Sequence, residues 1–156
     1  MPKPVRVEII ALVPAENGCA VFLGNGTKVI SFFIDPAVGL AINLVMTGQK
    51  PARPLTHDLY MLTLQGFGAV VSRVMITEVA GDVFFARLIL EAENEIMERK
   101  IIELDARPSD CLAIAARAGA PVYILPKVWE ALEDRTAFLE EMKNGHPGAP
   151  GFEFEP

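Results

Sequence analysis

Cysteine is nearly absent from this chain: Cys19 and Cys111 are the only two in 156 residues. Two thiols make no disulfide framework, and neither has a second cysteine at metal-ligand spacing, which excludes the small stapled and zinc-held scaffolds. Cys111 lies among apolar, helix-forming residues and is expected to be a buried, reduced thiol. Positive charge is also scarce. Fourteen Lys and Arg stand against twenty Asp and Glu, for a net charge of −6, and no Lys/Arg run occurs. That argues against sequence-independent binding of nucleic acid by counterion release, which needs a basic face. An enzyme acting on nucleic acid can keep an acidic balance if metal ions offset its carboxylates, with weak binding centred on its site. No apolar run reaches the roughly 18 residues that span a bilayer. Met1-Pro-Lys-Pro-Val-Arg6 opens a strand pattern rather than a signal segment, so a soluble, cytoplasmic protein is expected.

The length suits one domain that buries its own core. Val5 to Val13 reads as a strand with Arg6 and Glu8 on one face, and Pro14 to Gly18 as a turn. Ala20–Leu23 and Val29–Ile34 flank Gly24-Asn-Gly-Thr27, and Asn-Gly signals a hairpin because both residues tolerate positive φ. From Pro36 the period changes: Val38, Ala41, Ile42, Val45 and Met46 recur at helical spacing up to Gly48. A proline-bearing connector, Gln49 to Leu55, leads to Thr56 as an N-cap and a helix from His57 to about Gln65. Three strands are expected next: Ala69–Val79, with Val70, Ser72, Val74, Ile76 and Glu78 on one face, then Val83–Leu90 and Met97–Leu104. A helix from Pro108 to about Arg117 closes at Gly119. Val122–Leu125 is a short strand, and helices begin at Pro126 and Thr136. Trp129 is expected to anchor packing. After Lys143 the composition turns to Gly, Pro and Asn, which holds no helix. The expected organisation is a domain over 1–143 and a flexible tail over 144–156, with His146 solvated in the tail.

Pro36-x-x-x-Leu40-Ala41-Ile42 and Pro108-x-x-x-Leu112-Ala113-Ile114 each follow three strands. The expected fold class is therefore α+β: duplicated β3α halves, with mostly antiparallel strands packed on buried helices. Leu40 and Leu112 are expected in equivalent buried positions.

The richest stretch is Ile102 to Ala116, where an apolar strand runs into an apolar helix through Asp105, Arg107, Ser109 and Asp110. Pro108 suits the first helical position and pushes Arg107 toward extended geometry, so polar side chains are delivered to the mouth of a buried element. These groups also read as a plain helix start, with Asp105 or Ser109 capping, Asp110 complementing the helix dipole and Arg107 pairing with an acid.

Pro51-Ala-Arg-Pro-Leu-Thr-His-Asp-Leu59 and Glu103-Leu-Asp-Ala-Arg-Pro-Ser-Asp110, with Gly119-Ala-Pro-Val122 as a lesser third, resemble the bifunctional nuclease domain family of bacteria, archaea and plants. The likeness runs from about Val5 to Leu132. It implies an α+β domain and, for some members, nuclease activity. One departure stands out: where the family commonly has Gly-x-x-Glu at the start of the first helix, this chain has Asp35-Pro-Ala-Val38.

Metal-assisted phosphodiester cleavage needs two or three carboxylates converging on a divalent ion, a base, and a cation for the phosphate. Asp58, Asp105 and Asp110 are the candidate ligands for Mg2+ or Mn2+. His57 is the candidate base beside those three acids, and Arg53, Arg107 and Ser109 are candidate contacts to a nucleic-acid substrate. The other reading is a non-enzymatic, oligomeric interaction or regulatory module, in which the arginines and acids form an internal ion-pair network. A homo-oligomer is expected under either.

Overall fold

A computed structural model describes residues 2–144. Its strands are β1 (Val5–Ala15), β2 (Gly18–Gly24), β3 (Val29–Ile34), β4 (Ala69–Ala80), β5 (Val83–Glu93), β6 (Arg99–Ala106) and β7 (Val122–Ile124). The helices are α1 (Pro36–Met46), α2 (Thr56–Gly66), α3 (Pro108–Ala118), α4 (Pro126–Ala131) and α5 (Thr136–Asn144). Asn144, expected to open the tail, thus ends α5, and the rest of the expected tail lies outside the described residues.

One seven-stranded sheet carries the fold in the order β3-β2-β1-β7-β4-β5-β6. Each set of three successive strands is an antiparallel meander. The short β7 joins them, antiparallel to β1 and parallel to β4. This is the α+β class, with a single parallel pairing.

The main core lies between the sheet and the helices α1 and α3, which pack on each other. Helix α3 buries Pro108, Ser109 and everything from Cys111 to Ala115, so its apolar sequence reflects burial nearly all round. Helix α1 buries only Val38, Gly39 and Ile42. Leu112 is fully buried and Leu40 half-buried, so the likeness of the two runs extends to the order of elements and not to these leucines.

A bulge between Ile9 and Ala11 explains why β1 first alternates and then is buried on both faces. Before it, Val7 faces the main core while Arg6 and Glu8 face solvent; after it, Leu12 faces that core. Ala11 and Val13 join Ala20, Phe22 and Leu139 in a second cluster under α5. The β4 pattern also differs from the simple alternation. Bulges between Val71 and Arg73 and between Ile76 and Glu78 put Val71, Val74, Ile76 and Val79 toward the core, with Val70 and Glu78 exposed.

Three local expectations are corrected. Thr56 is the first residue of α2 and Leu55 its N-cap, because Asp58 accepts a hydrogen bond from the Leu55 amide at 3.0 Å and fixes the helix one residue earlier. Only Gly26 of Asn25-Gly26 takes positive φ; the Asn25 side chain instead accepts from the Thr27 and Lys28 amides. Strand β6 starts at Arg99, since Met97 has φ +63 in a turn closed by Asn94. Trp129 is buried, with Lys28 Nζ 5.1 Å from its ring centre and donating to its carbonyl at 2.6 Å.

Candidate active site at the strand-to-helix junction

Arg107 is the hinge between β6 and α3, extended at φ −62, ψ 140 with Pro108 at the first helical position. Its side chain is 64% exposed, yet it is tethered on two sides. Nε donates to Asp110 Oδ2 at 2.8 Å, and Nη1 lies 3.4 Å from Asp35 Oδ2. Asp35 is aimed by α1: as the N-cap it accepts from the Val38 amide through Oδ1 at 3.0 Å, leaving Oδ2 for Arg107.

The other oxygen of Asp110 is met from α2, where His57 Nε2 lies 3.0 Å from Oδ1. The His57 side chain is 15% exposed. Burial by itself raises the pKa of Asp110. The hydrogen bonds and charges of Arg107 and His57 outweigh it, and the carboxyl is held below the usual carboxylate range.

Asp58, next to His57 on α2, faces the opposite end of α3. Its Oδ1 lies 2.7 Å from Arg117 Nε, while Oδ2 serves the Leu55 amide. Positions 110 and 117 are separated by two helical turns, about 10 Å along α3, and lie on one face. The start of α2 therefore crosses α3 with His57 against one end of that face and Asp58 against the other.

Of the residues singled out from sequence, His57, Arg107 and Asp110 come together. Asp58 is turned away to Arg117. Asp105 is exposed and pairs in register with Arg87, on the sheet face turned from the helices. Arg53 is exposed in the connector and has no ion-pair partner among the described residues. Asp58, Asp105 and Asp110 do not converge, and among the described residues no three His, Cys, Asp or Glu side chains form a metal-holding group. Two participants fell outside the candidate set. Asp35 is signalled by the helix N-cap rule, and Arg117 by its i+7 spacing from Asp110 within a motif-bearing helix.

Arg107 opens onto a groove of about 950 Å³ that also bears Phe33, Phe84 and Arg135, with the buried Pro108 and Ser109 in its wall. Phe33 is 75% exposed on β3. Asp35, Asp82 and Glu133 lie along the same groove. A second groove, of about 620 Å³, is bordered by Asp58, Arg117, Met61 and the connector prolines Pro51 and Pro54. Val38, at the place of the family glutamate, is 4% exposed and belongs to the core. The carboxylate nearest Arg107 on α1 is instead that of Asp35. Among the described residues no helix is long and apolar enough to cross a membrane.

Known proteins share much of this chain. An uncharacterized protein of Mycobacterium tuberculosis strain H37Rv is 34% identical over 122 residues, covering 77% of this chain and 70% of that protein. An uncharacterized protein of strain CDC 1551 / Oshkosh matches to the same extent. The model of the bifunctional nuclease domain matches residues 21–136, from β2 to the start of α5 and so including every residue of the junction, and the chain belongs to the bifunctional nuclease domain family.

Proposed function

We propose that this chain hydrolyses phosphodiester bonds of RNA or DNA, with the reacting phosphate beside Arg107 and the strand lying along the Phe33–Arg135 groove. The observation that supports it most is the state of Arg107. The guanidinium is oriented by Asp110 and Asp35, while the side chain as a whole is mostly exposed and borders the groove. A fork held in this way offers its remaining N–H groups to phosphate oxygens in a fixed direction. Phe33 is placed to stack an unpaired base, and Arg135 adds a second cation. His57, oriented by the ionised Asp110, is the group at the junction that can take and return a proton. Ser109 lines the groove beside Arg107 and can hydrogen-bond the substrate.

Mg2+ or Mn2+ belongs to this reading as an offset to the groove carboxylates. The three acids expected to hold such an ion stand apart, and Asp110 would have to release Arg107 to bind one, so in this proposal the side chains of the junction carry the hydrolysis. The test uses end-labelled single-stranded RNA and DNA with the wild type, His57→Asn and Arg107→Ala, each in Mg2+, in Mn2+ and in chelator. Cleavage by the wild type, reduced at least tenfold in both variants, is expected, and the chelator arm reads the metal requirement. No cleavage of either nucleic acid under any of these conditions sinks the proposal.

A second reading, a non-enzymatic interaction module, is favoured by one observation. Asp35, His57, Asp58, Arg107, Asp110 and Arg117 satisfy one another and tie α1, α2 and α3 together. Lower melting temperatures in His57→Asn and Arg107→Ala, with an inert wild type, are the outcome that reading requires.

A further inference from the structure

The sheet has two edges, β3 and β6, and the chain treats them differently. At β3 the connection between α4 and α5 closes on the strand: the Arg135 amide donates to the Val29 carbonyl at 2.7 Å, and Asp134 accepts from the Val29 amide at 3.2 Å. Nothing comparable among the described residues lies on β6. Its pairing with β5 is regular along its whole length, without a bulge, and it contains no proline. An unbroken edge of this kind is a template for another strand.

We propose that β6 pairs antiparallel with β6 of a second copy of this chain, on a two-fold axis through Ile102, so that two seven-stranded sheets become one. Charge along the strand is self-complementary, with Arg99 and Lys100 at its start and Glu103 and Asp105 near its end. Antiparallel pairing brings the basic half of each copy against the acidic half of the other.

The register follows from which side chains share a face. Ile102, Leu104 and Ala106 pair with Leu90, Leu88 and Ala86 on the helix side, while Arg99, Ile101, Glu103 and Asp105 lie on the other. An axis through a residue sets like faces together and keeps both helix layers on one side of the joined sheet; a shift by one residue would mix the faces. With the axis at Ile102, Arg99 stands opposite the second copy's Asp105 and Lys100 opposite its Leu104, where the lysine stem covers apolar surface. Ile102 meets its own copy. Ile101, 61% exposed, lies diagonally across from the second copy's Ile101. An axis at Ile101 leaves Asp105 opposite the turn residue Met97, and one at Glu103 sets two glutamates against each other.

Continuing past Arg99, this register carries the β5–β6 turn to the second copy's Arg107. Ile96 and Met97, 72% and 74% exposed, are the apolar residues of that turn. Each junction is then flanked by the other copy's turn. The proposal stands whether or not the junction cleaves nucleic acid, because its readout is the oligomeric state.

Sedimentation of the full chain is expected to show a dimer. Asp105→Arg and Arg99→Asp each set like charges face to face and should weaken dimerisation at least tenfold, and the double exchange should restore it. Ile102→Cys tests the axis directly, since opposed antiparallel residues lie about 4.5–5.5 Å apart at Cα, within disulfide reach. Cys19 and Cys111 are both buried and do not compete. Mild oxidation should cross-link Ile102→Cys and leave Ile101→Cys largely uncross-linked. A monomeric wild type, a dimer indifferent to both charge reversals, or an Ile102→Cys variant that stays uncross-linked while dimeric overturns the proposal.

Discussion

His57 of α2 and Asp110 of α3, 53 positions apart in the chain, meet at 3.0 Å, and the second oxygen of Asp110 takes the Nε–H of Arg107 at 2.8 Å. One carboxylate thereby joins the start of α2, the start of α3 and, through Arg107 and Asp35, the start of α1.

Asp110→Asn removes the charge that holds both partners. Arg107 is mostly solvated, which discounts the pair, so a loss of about 1–2 kcal/mol is expected in urea unfolding near neutral pH. The folded carboxyl titrates below its ordinary value. Its contribution is therefore complete above the unfolded value near 3.9 and is lost as pH falls through the lower folded value. The stability gap between wild type and variant should close only on that acid limb. A gap that closes between neutrality and pH ~5 would refute the assignment to Asp110.

Asp58 combines an ion pair to Arg117 with a hydrogen bond from the Leu55 amide. Asp58→Ala should cost about 1–2 kcal/mol, since it strips the first turn of α2 as well as the pair. Arg117→Ala, at a third-exposed side chain, should cost less than about 1 kcal/mol. A double-mutant cycle by thermal or urea melts should give a coupling well below the Asp58→Ala loss; equal values would mean that the helix cap contributes nothing.

Gly18 stands where a Cβ would come within 2.3 Å of the Ile34 carbonyl oxygen. Gly18→Ala must therefore displace the end of β3 just before Asp35, at a cost of about 1–3 kcal/mol. A melting temperature unchanged from wild type would contradict that close approach.

Burial pushes the Cys19 thiol up to about 11 and the Cys111 thiol up to about 12, with the charges of Asp35 on the first and of Asp110 and Asp105 on the second acting in the same direction. Both should resist iodoacetamide near pH 8 and react fully in denaturant, as read by mass spectrometry. Rapid modification of either thiol in the folded protein would contradict its burial.

The sequence by itself determined the order and type of the elements. Helical spacing from Val38 to Met46, the Pro108 start and Gly119 stop of α3, and the hairpin glycine at Gly26 are local signals, and local backbone preference is enough to obey them. It also marked the junction residues, because a proline between a strand and a helix forces Arg107 and Asp110 to the mouth of the core. What only the tertiary structure decided is nonlocal: the placing of β7 between β1 and β4, the bulge that turns Ala11 and Val13 toward α5, and the partners of the site side chains. Asp58 and Asp105 carry the same chemistry as Asp110, and the three are shared between the two long motifs, Asp58 in the first and Asp105 with Asp110 in the second. Asp58 goes to Arg117 and Asp105 to the far face of the sheet because α2 lies across α3 and β6 keeps its register with β5. Those choices follow from which apolar faces bury each other over the whole fold, and a linear pattern of charges carries no record of them.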